Sequence, residues 1–269
     1  MFRHDEDFAD IILRATGERP LSLELIPTGW TNVVFQAGMP DGDFFFRFPR
    51  DPFWDEMMLK DFAFCGYIRG KVSCATPDMR LLYDGGRPFS MHRKIEGRSL
   101  QGAFPTLGES EAKRAARGMA EFIAEIQKLD PAGLPKDCGM RLSEFFRRLT
   151  ATHFDRLDTR HYERLLAYEK SPCVVHGDLN PSNVIIDDSG NVAGVIDFCF
   201  AGIGGKTADV ARIVGRSPPA FGEMFLSALG IRKNGGEIRD MIDTWNYVEM
   251  EYIGFIKGNH PEIALPDGV

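Results

Sequence analysis

The most constraining feature of this chain is a short β block, residues 173–197, set inside a half that otherwise reads as helix. Cys173–Val175 and Val184–Ile186 are brief apolar runs. Asp187-Asp188-Ser189-Gly190 is a turn, and Val192–Ile196 is a third run. Pairing Val184–Ile186 with Gly194–Ile196 as a hairpin carries Asn183 and Asp197 to the same end. Asp178 follows the first run and a glycine, so it projects from a loop at that strand's end. Three oxygen-bearing side chains are thereby gathered at one mouth by local spacing. A lone D-x-x-x-x-N is usually turn chemistry, but here it has a His-Gly prefix, flanking strands and a terminal aspartate.

Around this block the chain divides in two. Its first third reads as strands with one helix: Leu21–Ile26, Val33–Ala37 and Phe44–Phe48, then a hairpin of Met79–Tyr83 with Pro88–His92 about Asp84-Gly85-Gly86. Asp51-Pro52 is an N-cap followed by proline at the first helical position, which predicts a helix through Ile68. Past Gly97 the apolar residues recur at helical spacing. Ser110 is the expected cap of a run holding Met119, Phe122, Ile123 and Ile126, and Arg141–Glu169 and Glu237–Lys257 are expected to be mostly helical. We therefore expect an α+β chain with a β-rich part over residues 1–96 and a mostly helical part, with its small β insert, over 97–269.

Composition narrows the class. A formal net charge of −7 argues against a nucleic-acid binder. Five scattered cysteines without a C-x-x-C pair suggest reduced thiols in the cytoplasm. No N-terminal apolar core suggests a signal peptide, and no apolar run approaches the roughly 20 residues that span a bilayer. The expectation is a cytoplasmic protein with no membrane partner; oligomeric state is not legible.

A carboxylate beside two further oxygen ligands suits magnesium, which binds one or two protein carboxylates plus phosphates and water. It also suits phosphoryl transfer, where positioning and charge neutralisation do most of the work. The segment His176-Gly-Asp-Leu-Asn-Pro-Ser-Asn183, followed by Ile196-Asp197-Phe198, resembles the aminoglycoside phosphotransferase and choline kinase superfamily. The resemblance implies a bilobal protein-kinase-like fold, with Asp178 as catalytic base, Asn183 and Asp197 as Mg2+ ligands, and His176 bracing the loop. Ala201–Ala211 resembles that family's next motif, with Gly205-Lys206 where Asp-Pro is usual. There Asp209 is expected to hold the catalytic loop.

The same resemblance supplies a nucleotide side. Thr28, Thr31 and Asn32 sit where a phosphate-covering hairpin is expected, although with one glycine rather than a G-x-G-x-x-G loop. Arg47 is expected to meet the α- and β-phosphates and to pair with a helix glutamate, for which we choose Glu56. Ser90–Gly97 resembles the inter-lobe linker, with backbone groups at Arg93 and Ile95 facing a purine. ATP and GTP are not separable as donors on this basis.

The implied activity is Mg-dependent transfer of a nucleotide γ-phosphoryl group to a small-molecule hydroxyl, with an aminoglycoside-like antibiotic as the first acceptor choice. A metabolic kinase of a small alcohol, amino alcohol or sugar is the alternative, and a non-catalytic nucleotide-binding relative ranks last. The acceptor is expected against the last helices, where Glu237, Asp240, Asp243, Glu249 and Glu251 accompany Trp245, Tyr247 and Tyr252. Most of those acids read as a solvated face and the aromatics as core.

Overall fold

A computed structural model describes residues 7–27, 29–154, 158–231, 235–260 and 263. The N-terminal part carries helix α1 (Phe8–Thr16), strands β1 (Ser22–Ile26), β2 (Asn32–Met39) and β3 (Gly42–Pro49), helix α2 (Pro52–Ile68), and strands β4 (Arg80–Asp84) and β5 (Arg87–Arg93). The strands form one antiparallel sheet in the order β1-β2-β3-β5-β4. Helix α1 falls outside the sequence expectation. Asp7 caps it by accepting from the N–H groups of Ala9 and Asp10, and Gly17 ends it at φ 80°. Phe8, Ile11 and Ile12 pack with Phe46, Phe48 and Phe89 in a core of their own.

The expected cap of α2 is present, with Asp51 accepting from Phe53 N at 2.9 Å and Trp54 N at 3.2 Å. Although it lies within the first 96 residues, α2 joins the larger core, where Phe53, Trp54 and Phe64 pack with Phe145 and Phe198. Burial on several sides explains why α2 carries Lys60 and Asp61 as buried residues. Ala75 also crosses over. Its N–H and C=O bond Ala193 and Val195, each at 3.0 Å, beside the β insert.

The helical part comprises α3 (Leu100–Ala103), α4 (Glu109–Ile126), α5 (Leu142–His153), α6 (Thr159–Tyr168), α7 (Ala208–Arg216), α8 (Pro219–Ala228) and α9 (Gly236–Asn259). Ser110 is not the cap of α4. The cap is Gly108, two residues earlier, and Glu111 reaches back to accept the Gly108 N–H at 2.8 Å. The insert holds β6 (Arg98–Ser99), β7 (Pro172–Val175), β8 (Val184–Ile186), β9 (Val192–Val195) and β10 (Gly202–Gly205), arranged as β6-β8-β9 and β7-β10. The expected β8–β9 hairpin is present, but its register is one residue off the pairing of Val184–Ile186 with Gly194–Ile196: Val184 faces Val195, Ile185 faces Gly194, and an irregularity then sets Ile186 opposite Val192. The run Gly-Ile-Gly-Gly of β10 falls outside the strands expected from sequence. It forms a strand because the chain packs where side chains do not fit: a Cβ on Gly202 would lie 2.3 Å from the Met140 carbonyl.

The described cysteines are free, and four of the five are buried. Among the described residues no helix is long and apolar enough to cross a membrane.

Candidate active site

The loop after β7 is held from beneath. Asp209, on the first turn of α7, accepts the N–H groups of His176 and Gly177, both at 2.9 Å. Burial pushes the Asp209 carboxyl above its ordinary range, against the pull of His176 and those two donors. The His176 ring is fully buried against Phe198, with centroids 4.6 Å apart. Its Nε2 bonds the Ile196 carbonyl at 3.0 Å and its Nδ1 receives the Asp178 N–H at 3.2 Å. One imidazole thus ties the loop carrying Asp178 to the strand leading to Asp197. Gly177 turns the chain at φ 81°, and a Cβ there would sit 2.3 Å from the Phe200 carbonyl.

Beyond it, Asn180 caps a short 3-10 turn, Pro181–Asn183, by accepting the Ser182 N–H at 2.9 Å. Asn183 then points its amide back, Nδ2 donating to the Asp178 carbonyl at 3.0 Å. Asp197 follows β9 in the left-handed region at φ 65°, unusual for a residue with a side chain. Asp178, Asn183 and Asp197 all line a single cleft of about 800 Å³.

At the back of that cleft stands Arg47. Its Nη2 donates to Asp197 at 2.9 Å and its Nη1 to Asp61 at 2.5 Å. Burial works against the charge on Asp197, but Arg47 and neighbouring donors hold its carboxyl below the ordinary aspartate range. Asp61 is fully buried and also accepts the Phe198 N–H at 3.2 Å. The helix acid paired with Arg47 is therefore Asp61, not Glu56. Glu56 faces outward and binds Arg148 through both carboxylate oxygens, at 2.8 and 2.5 Å.

Thr31, Asn32 and Ile95 line the cleft, whereas Thr28 lies outside the described residues. Asn32 donates to the Thr31 hydroxyl at 2.8 Å, while its own buried Oδ1 has no partner. The Arg93 side chain turns away from the cleft, donating to the Asp41 carbonyl at 2.7 Å and lying over Phe44. Its neighbour His92 is on the cleft wall instead, and burial together with the Arg47 charge pushes that imidazole below its ordinary value.

The opposite end of the cleft holds residues the sequence reading did not single out. Arg212 donates through Nε to Asp178 at 2.7 Å and through Nη1 to Glu249 at 3.0 Å. Arg216 contacts the other Glu249 oxygen. Asp209, Arg212 and Arg216 stand at i, i+3 and i+7 of α7, one face of the helix, and that spacing was the available signal. Of the acids weighed on the last helices, only Glu249 reaches the cleft wall, with Trp245 and Tyr252 beside it at helical spacing. Glu237 bonds Thr207, Asp240 bonds Tyr168, and Tyr247 stacks on His161.

A sequence profile of the phosphotransferase enzyme family matches residues 22–241. The chain belongs to this family. It is a small-molecule phosphotransferase, and its α+β architecture is the kinase-like one of its structural relatives. No match of significance was found among curated proteins.

Among solved structures, the phosphotransferase resembles the GDP complex of aminoglycoside 2'-phosphotransferase-IIIa at TM-score 0.74 and 20% identity, covering 95% of this chain and 93% of that one. It also resembles the streptomycin–ATP complex of APH(2")-IIa, at TM-score 0.66 and 18% identity over 95% and 91% of the two chains. A third is macrolide 2'-phosphotransferase from Brachybacterium faecium, at TM-score 0.65 and 18% identity over 97% and 99%. At such identities the likeness carries the fold.

Proposed function

We propose that this phosphotransferase moves the γ-phosphoryl group of ATP or GTP to a hydroxyl of a small molecule, with Asp178 as base and Mg2+ held by Asn183 and Asp197. The observation that carries the reading is the convergence of Asp178, Asn183 and Asp197 on one cleft, braced by Asp209, His176 and Arg47. Residues 1–96 would supply the nucleotide side and residues 97–269 the base and the acceptor side.

The donor set fits the metal. Asn183 and Asp197 offer hard oxygens, the Asp197 side chain is 33% exposed, and no described donor engages Asn183 Oδ1 because its Nδ2 makes the bond to the loop. When bound, Mg2+ would neutralise charge on the phosphate oxygens. Asp178 orients the acceptor hydroxyl and takes its proton as the oxygen–phosphorus bond forms and the bond to the nucleoside diphosphate breaks. Arg212, on the Asp178 carboxylate, fixes the direction from which the hydroxyl approaches. Arg47, Thr31 and Asn32 face the donor phosphates, and Ile95 with its backbone the purine.

The relatives solved with streptomycin or named for macrolides support an antibiotic-like acceptor. A metabolic alcohol or sugar is favoured by a different observation, that the carboxylates of the cleft wall already have arginine partners.

In a coupled assay of nucleotide turnover against an acceptor panel, Asp178→Asn should lower kcat by about 10²-fold or more with nucleotide affinity retained. Asp197→Asn should lose the metal dependence of nucleotide binding. Transfer that persists undiminished in Asp178→Asn would remove it as the base.

A further inference from the structure

The cleft has a definite charge pattern. Among the described residues its wall carries three carboxylates, and each touches a guanidinium: Asp197 with Arg47, Asp178 with Arg212, and Glu249 with both Arg212 and Arg216. Arg212 and Arg216 balance Asp178 and Glu249 in formal charge, which leaves neither carboxylate without a guanidinium. A cationic acceptor would have to displace a guanidinium from Glu249 while a second stays beside it, and like charges in a partly desolvated site repel strongly.

Donors, in contrast, are in surplus. The Arg216 side chain is 36% exposed, and among the described residues its ion-pair partner is Glu249. The Trp245 indole N–H is buried and without a partner on the same wall. The surrounding surface is aromatic: Tyr252 lies 6.4 Å from Trp30 and 5.8 Å from Trp54, centroid to centroid, and Phe200 lies 6.1 Å from Trp54.

Resting on the phosphotransferase reading, we propose that the acceptor is a flat, largely apolar hydroxy compound carrying an anionic group, a carboxylate in the simplest case. Arg216 binds that group, and polycations are disfavoured. The aromatic wall takes the apolar body, and the hydroxyl is presented to Asp178 beside Arg212.

Three probes of one shape and different charge test this: mandelate, mandelamide and 2-amino-1-phenylethanol, each with a phenyl ring and a benzylic hydroxyl. They are titrated calorimetrically into the full chain at low salt. Mandelate is expected to bind about tenfold or more tighter than the amine, with the amide between, as a charge-assisted contact requires. Arg216→Gln should reduce mandelate to the level of the amide, while Arg216→Lys, which keeps the charge, should retain the order.

Equal or tighter binding of the amine overturns the proposal. So does a mandelate preference that survives Arg216→Gln, or the absence of saturable mandelate binding. Titration with ATP and GTP separates the two readings. Loss of nucleotide binding with the charge order intact sinks the phosphotransferase assignment alone, and nucleotide binding without the charge order sinks the acceptor proposal alone.

Discussion

Arg47 and Asp61 show what a single buried pair does for the cleft. Asp61 gathers the Arg47 guanidinium, the Phe198 N–H and the Cys65 thiol in a place without solvent, and Arg47 hands its second nitrogen to Asp197. Removing one partner strands the other as a buried charge. Arg47→Met should therefore cost about 3–5 kcal/mol in urea denaturation, far more than a surface exchange such as Glu56→Gln, which only frees the outward-facing Arg148. A stability loss no larger than that of Glu56→Gln would show that Asp61 does not depend on Arg47. Asp178, Asn183 and Asp197 were legible because a loop and a hairpin of fixed length place them. Asp61 was not. Five residues separate it from Glu56, and they turn a helix through about 140° net, so only the docking of α2 decides which acid faces β3.

At the scale of elements, α2 and α7 aim the site. The α2 cap was readable from Asp51-Pro52, but its second duty was not: Asp51 Oδ2 also meets His153 Nε2 on α5 at 2.9 Å. Burial raises the Asp51 carboxyl, yet the His153 contact and two helix N–H donors bring it below its ordinary value. The unfolded chain therefore binds the proton more tightly. The stabilisation is complete above the unfolded value and is lost as pH falls through the lower folded one. Asp51→Ala should cost about 1–2 kcal/mol at neutral pH, a gap that closes in denaturation curves taken progressively below about pH 3.9. A gap independent of pH would show that the carboxylate charge is irrelevant to the cap. Helix α7 was read only for Asp209. Its other two cleft residues lie one and two turns on, and their partners come from Asp178 and from α9, distant segments that no local pattern connects.

For the whole molecule, the cleft joins the five-stranded sheet, through Arg47 and His92, to the helices and β insert, so a ligand there ties both parts together. Nucleotide with Mg2+ at a hundredfold its Kd should raise the unfolding free energy by about 2.7 kcal/mol. Chelation should remove most of that gain, and Asp197→Asn should abolish its metal dependence. Nucleotide stabilisation that ignores the metal would exclude the Asn183–Asp197 assignment. The sequence by itself determined the Asp178–Asn183 loop with its following hairpin, the division into a β-rich and a helical part, and the family, because turn residues, caps and short apolar runs act over a few positions. The tertiary structure decided which acid meets Arg47, that Gly202–Gly205 is a strand, and that the end of the cleft holding Glu249 is an arginine–carboxylate network rather than an acidic one. Those outcomes depend on which faces of separate helices meet, a choice made by packing across the fold.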